Sequence, residues 1–277
     1  MTTATVAVEG ARLHVVDDGD PSASPVVLIH AGIADLRSWD DVVPHLLDAG
    51  YRVVRYDSRG AGRSSSEPVP YSWVDDLFAV LDARGIERAA LVGNSRGGMT
   101  AYDAAISAPE RVVAVVGVAA GLDGFDGSTT PLGDELFAEM DRLDSAVPPD
   151  PAAIADIDIR VWVDGPGQLP DRVAPGVREL VRAMDMASYE PGHETGERIR
   201  LRPPAADRLA ELRCPVLAVA GGLDVSEPAA AARHLEVHAP DARAVVWPDV
   251  AHMVGMEQPH RLAALIIDFL EPLPRWS

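Results

Sequence analysis

The residues Gly93-Asn94-Ser95-Arg96-Gly97 set a serine hydroxyl between two glycines at the spacing G-x-S-x-G. An apolar run, AALV at 89–92, leads into them, and a helical pattern starting at Met99 leaves them. A serine held in so tight a strand-to-helix turn leaves no room for side chains two positions before and after it, which explains both glycines. The turn lifts the Ser95 hydroxyl above the sheet. The Arg96 amide, at the helix N-terminus, then points where charge would develop on an attacked carbonyl oxygen. The chemistry this suits is nucleophilic attack at an acyl carbon.

A serine hydroxyl is a weak nucleophile until a base takes its proton, and the base needs a carboxylate to orient it. Asp224 follows the strand-like run PVLAVA at 215–220, and His252 follows AVVW at 244–247. Both therefore fall at the C-terminal ends of strands, where open α/β sheets carry their sites. Asp123, just past the run 112–118, is an alternative acid, and His193, His238 and His260 are competing bases. A second amide donor to the oxyanion should come from the loop His30-Ala31-Gly32-Ile33, through Gly32 or Ile33. His30 itself reads as a buried residue that shapes this loop. In the Gly-rich turn 57–64, DSRGAGRS, Asp57 and Arg59 read as loop-fixing hydrogen-bonders. That turn has neither the G-x-G-x-x-G spacing nor a lysine with which to cradle phosphate.

The elements that must position these residues alternate along the chain. Val6–Val8 and Leu13–Val16 flank Gly10 as a hairpin, and 26–30, 51–56, 89–92, 112–118, 215–220 and 244–247 are short, nearly continuous apolar runs. Helical spacing lies between them at 39–47, 73–81 and 99–108, and again at 260–269. Such alternation predicts a mostly parallel sheet covered on both faces by helices, an α/β fold. The rhythm stops over 121–204, which is rich in Pro, Asp and Gly, with helical stretches only at 136–143 and 177–186. Its Phe125, Phe137, Met140, Trp162, Met184, Met186 and Tyr189 give it enough apolar mass to pack as a helical cap. The expected division is a core of 1–120 and 205–277 with a cap subdomain at 121–204.

Composition removes other chemistries. All 24 basic residues of the 277 are arginine, so no lysine is present to form a Schiff base, anchor pyridoxal phosphate or complete a Walker loop. A net charge of −19 argues against a nucleic-acid partner and against steering of anionic substrates. The lone Cys214 and the scattered histidines, without an HExxH pair, offer no disulfide and no metal site. The longest apolar runs, Val112–Ala120 and Leu262–Ile267, are too short to span a membrane. The first residues, MTTATVAVEG, lack an export signal, and a cytoplasmic monomer or homodimer is expected.

Taken in order and spacing, VVLIHAGI, YDSRGAGRSS, LVGNSRGG, GGLD and PDVAHMVGMEQP resemble the α/β-hydrolase superfamily, in particular its capped serine esterases and enol-lactone hydrolases. The resemblance implies Ser95 as nucleophile, His252 as base, Asp224 as its orienting acid, and Gly32 and Arg96 as main-chain oxyanion donors. Two departures stand out: His30-Ala31 where His-Gly is usual, which leaves Ile33 open as the donor, and Arg96 where an apolar residue is common. The Arg96 guanidinium either reaches a substrate carboxylate or bonds behind the turn, the second being preferred. Dehalogenases and epoxide hydrolases of the superfamily need a carboxylate at the turn, so Ser95 speaks against both. What is implied is hydrolysis of a small to medium, partly apolar carboxylic ester or lactone through an acyl-enzyme, without cofactor or metal. Trp162, Met140 and Phe137 of the cap are candidate substrate contacts. Carbon–carbon cleavage of vinylogous diketones, acyl transfer or cyclisation in natural-product tailoring, and ligand reception without turnover are the alternatives.

Overall fold

The computed structural model describes residues 1–127 and 130–276. Strands β1 (Thr2–Val8) and β2 (Ala11–Asp18) form an antiparallel hairpin that turns at Gly10, whose φ of +64° is the left-handed conformation that glycine adopts without strain. Strands β3 (Pro25–Ile29), β4 (Arg52–Tyr56), β5 (Ser65–Ser66), β6 (Ala89–Asn94), β7 (Val112–Val118), β8 (Val216–Gly221) and β9 (Ala242–Trp247) complete one sheet. Its order is β1-β2-β4-β3-β6-β7-β8-β9, with β5 beside β2. From β4 onward every neighbour pair on this path is parallel.

The continuous apolar runs follow from burial on both faces. Val27 and Ile29 of β3 and Leu91 of β6 point into one cluster, and Val26, Leu28, Ala90 and Val92 into the opposite one. Helices α2 (Trp73–Ala83) and α3 (Arg96–Ser107) cover the first face with α7 (Ser226–His238), through Leu77, Val80, Leu81, Tyr102 and Leu235. Helices α1 (Val43–Asp48) and α9 (Pro259–Leu270) cover the second with Trp39, Leu46, Leu262 and Ile266, each side chain contributing roughly 1.5–3 kcal/mol by leaving water.

Two helices depart from the sequence spacing. The expected helix at 39–47 divides into a 3₁₀ turn, Leu36–Trp39, capped by the Asp35 carboxylate, and the short α1. Pro44 opens α1, because proline lacks the N–H a continuous helix would need and fits only its first turn. Helix α7 has no clear counterpart in the hydrophobic pattern, since its buried stripe is Pro228, Ala231, Ala232 and Leu235, only one of them large.

Between β7 and β8 lies an insert whose described residues include the helices α4 (Pro131–Asp144), α5 (Pro151–Asp158) and α6 (Pro175–Ala187). The stretches 136–143 and 177–186 fall within α4 and α6. Helix α5 starts where the Asp150 carboxylate accepts the Ala152 and Ala153 amides, and it runs on as one π-helical segment, Ile159–Asp164. The insert packs in two clusters. One joins Leu136, Ile157 and Val161 to Val225 beside Phe137, Met140 and Trp162, and the other joins Ile159, Val163, Val181 and Met184 to Ala31, Ala34 and Met253. The returning chain is pinned to the sheet side by the Ser66 amide on the Gly192 carbonyl at 2.8 Å and the Tyr71 amide on Glu197 at 3.0 Å. No helix among the described residues is long and apolar enough to cross a membrane.

Candidate active site

Ser95 stands between β6 and α3 with φ +53° and ψ −117°, a backbone conformation that costs a non-glycine residue roughly 1–3 kcal/mol. The surrounding main chain enforces it: the Ser95 amide donates to Val118 at 2.7 Å, and the Ser95 carbonyl accepts the Gly98 amide at 2.9 Å. A Cβ on Gly93 would overlap the Gly97 carbonyl, and one on Gly97 would overlap the Ile29 carbonyl. The glycines thus let α3 approach the ends of β3 and β6 closely enough to hold the serine at the mouth of the sheet. The Ser95 hydroxyl forms no hydrogen bond among the described residues, and its side chain is partly exposed.

Asp224 and His252 come together from the ends of β8 and β9. Nδ1 of His252 lies 2.7 Å from Oδ2 of Asp224, whose side chain is fully buried, while Oδ1 accepts the Val225 amide at 2.7 Å. Acceptance by the carboxylate places the ring proton on Nδ1 and leaves Nε2 free to take one. Asn94 adds a contact that the sequence did not suggest: its side-chain amide donates to the His252 carbonyl at 3.3 Å. The competing groups are engaged elsewhere. Asp123 accepts Arg198 and Arg200, His193 lies beside the Glu190 and Gly62 carbonyls, His238 caps its own helix, and His260 packs on His45.

The loop after β3 carries Gly32 and Ile33, whose amides, like that of Arg96, donate to no group among the described residues. His30 holds this loop. The Ser58 amide donates to its Nε2 at 2.9 Å, so the proton resides on Nδ1, 2.7 Å from the Ala31 carbonyl. Burial, with the positive charge of Arg96 nearby, pushes the His30 pKa down to about 4, which keeps the ring neutral for both contacts. Asp57 fixes the neighbouring turn by accepting the Leu36 and Arg63 amides at 2.9 and 2.8 Å, and Arg59 pairs in bidentate fashion with Asp76 at 2.6 and 2.9 Å. The Arg96 guanidinium lies 5.6 Å from the centre of the Trp73 ring, with Nη2 buried and without a partner among the described residues.

The insert reaches the same place. The Trp162 ring, on the π-helical segment, lies 4.6 Å from the His252 ring, and Phe137 packs behind it at 5.9 Å. Met140 belongs to that cluster. Trp162 Nε1 donates to Asp158 at 3.0 Å. Asp158 faces Asp185 of α6, and burial raises these carboxyls to about 6 and about 7; the Asp158 charge pushes Asp185 up further, while the hydrogen bond between them holds Asp158 down. The sequence pattern offered no sign of this acid pair, since its members are 27 positions apart on separate helices.

Residues 24–259 match the family model described as alpha/beta hydrolase fold. The chain belongs to that family. This hydrolase is 30% identical over 273 residues to rhodomycin D methylesterase DauP of Streptomyces sp. (strain C5), a match that covers 90% of this chain and 91% of the relative. Its fold also superposes on a hydrolase from Pseudomonas aeruginosa PA01, with a TM-score of 0.77, 26% identity, and 97% of this chain and 98% of the other covered. The enol-lactonase from Burkholderia xenovorans LB400 gives the same TM-score of 0.77 at 23% identity, covering 97% and 100%, a likeness of fold.

Proposed function

We propose that this hydrolase cleaves a carboxylic ester or lactone, small to medium in size and partly apolar, with Ser95 as nucleophile, His252 as base and Asp224 as orienting acid. The observation that carries the reading is the pairing of Asp224 with His252 at 2.7 Å, joined through the Asn94 amide on the His252 carbonyl to the strained strand-to-helix turn that holds Ser95. The insert 121–204 serves as the cap, and the methylesterase relative supports ester chemistry.

In this reading Ser95 Oγ attacks the carbonyl carbon while His252 Nε2 takes its proton. The tetrahedral oxyanion is held by the Arg96 amide and by Gly32 or Ile33, aided by the positive end of α3. Asp224 keeps the imidazole in the required tautomer and offsets its charge. Collapse expels the alcohol, which receives the proton from His252 and leaves the acyl group on Ser95. Water, deprotonated by the same histidine, repeats the sequence and frees the acid. Trp162, Phe137 and Met140 supply the apolar wall of the acyl or alcohol site. With a net charge of −19 and the Arg96 guanidinium near the Trp73 ring, a neutral substrate suits the site better than an anionic one.

The test is Ser95→Ala against a panel of p-nitrophenyl esters and simple lactones. A fall in kcat of at least about 10³-fold is expected. Activity persisting within about tenfold of wild type would remove Ser95 from the reaction. Turnover of a ring-cleavage dienoate in preference to every ester would replace ester hydrolysis with carbon–carbon cleavage by the same residues.

A further inference from the structure

His252 is held from two sides. The sheet side supplies Asp224 on Nδ1 and Asn94 on the main-chain carbonyl. The other side runs through α8 (Val254–Glu257), where Oε1 of Glu257 accepts the amide of Ala251, the residue immediately before His252, at 2.9 Å. The second carboxylate oxygen of Glu257 pairs with Nη1 of Arg172, a residue of the cap. Arg172 is occupied on its remaining edges too: Nε donates to the Asp164 carbonyl and Nη2 to the Val163 carbonyl, both at 2.8 Å. Those carbonyls close the π-helical segment whose Trp162 ring lies against His252.

We propose that Arg172 is a positioning residue that ties the seating of the cap to the alignment of His252, through Glu257 and the Ala251 amide. The inference rests on the proposed role of His252 as base. Three features set this contact apart from an ordinary surface ion pair. Both side chains are largely buried, Arg172 at 17% exposure and Glu257 at 6%, so water screens the attraction weakly. The guanidinium reaches three acceptors through Nε, Nη1 and Nη2, which a lysine ammonium on its flexible stem does not reproduce. The carboxylate, in turn, bridges the cap to the main chain adjoining His252 rather than to another side chain. A π-helical segment is a strained form of helix that tends to occur at functional sites, and this one ends on the carbonyls that Arg172 gathers. When the cap lifts, Arg172 leaves with it. Glu257 then loses its counter-charge, and the turn 248–253 loses the anchor next to His252. Closure of the cap over substrate would thus complete the base as well as exclude water.

The experiment compares Arg172→Met, Arg172→Lys, Glu257→Gln and Glu257→Ala with wild type, and with Arg160→Gln, which removes an exposed cap pair, as control. For each, kcat and KM on a p-nitrophenyl ester, the rate of Ser95 labelling by a fluorophosphonate, and Tm are measured. Arg172→Met and Glu257→Ala should each lower kcat about 10–30-fold with KM changed less than about threefold, and their double variant should fall no further than the worse single one. Glu257→Gln, which keeps an oxygen to accept the Ala251 amide, and Arg172→Lys, which keeps the charge, should each recover part of that loss. Labelling of Ser95 should slow in parallel with kcat. Unchanged kcat and labelling in soluble Arg172→Met and Glu257→Ala, with only Tm lowered, would reduce the contact to a structural brace and overturn the proposal. Should the methionine and alanine variants fail to fold, unchanged kcat in both Arg172→Lys and Glu257→Gln would overturn it equally. Wild type that turns over no ester and takes no label would instead refute the underlying reading of the site.

Discussion

The mouth of the sheet and the insert between β7 and β8 are built by different physics. At the sheet, Ser95 is placed by main-chain hydrogen bonds and by glycines that permit close approach of α3 to β3 and β6, with no charged side chain involved in holding it. In the insert, position is set by arginine–carboxylate contacts: Arg178 on Asp164 at 2.8 Å, Arg182 on Asp156, Arg160 on Glu139, and Arg172 on Glu257. Placement by sterics tolerates little substitution and is indifferent to pH and salt. Placement by charge can be retuned, and it responds to both. The chain thus fixes Ser95 by sterics and leaves adjustable the contacts of the insert.

Four substitutions probe that contrast, in descending size. Asp224→Asn should lower kcat about 10³–10⁴-fold by favouring the wrong imidazole tautomer, read by steady-state kinetics at a fixed ester; a loss below about tenfold would mean that another acid serves His252. Gly97→Ala should destabilise the fold by about 3 kcal/mol or more, because its Cβ overlaps the Ile29 carbonyl, and denaturant unfolding measures this. A destabilisation below about 1 kcal/mol would show that the turn is not set by close approach. In the cap, Trp162→Ala should raise KM for aryl esters about fivefold while leaving stability within about 2 kcal/mol, and Phe137→Ala, one layer farther from His252, should raise it less.

The smallest effect concerns pH. Asp158 and Asp185 keep their protons to about 6 and about 7, so the folded cap binds more protons than the unfolded chain in that interval. The resulting stability is fully present below the ordinary aspartic acid value and is lost as pH rises through about 6 to 7. Asp185→Asn should therefore shrink the fall in Tm between pH 5 and pH 8 by about 3 °C. A residual fall should persist from Asp57 and Asp103, which burial also raises to about 6. An unchanged slope would mean that the pair does not titrate as a unit.

The same contrast explains what the sequence disclosed. Steric placement leaves local marks: Gly93 and Gly97 around Ser95, unbroken apolar runs for β3, β6, β7 and β8, and chain order for Asp224 and His252. Those marks are enough to read the sheet and to name Asp224 and His252, which the structure pairs. The resemblance to a known family added the role of each. Contacts between side chains far apart in sequence leave no such mark. Arg172 and Glu257 are 85 positions apart, and neither differs in local setting from the other charged residues around it. Helix α5 was hidden because Pro151 and the aspartates 150, 156 and 158 resemble loop composition, although Asp150 is its cap. The contact of Asn94 with the His252 carbonyl spans 158 positions and was equally invisible. Arg96 is legible as unusual, and its guanidinium lies 5.6 Å from the centre of the Trp73 ring, a contact that the local sequence does not show.

The most direct test of the account is labelling of the folded wild-type protein with a fluorophosphonate, followed by peptide mapping. Stoichiometric, saturable modification of Ser95 alone, abolished by Ser95→Ala and slowed strongly by Asp224→Asn, is the predicted result. Modification at another serine, or a Ser95 that stays unlabelled while esters are turned over, would contradict it.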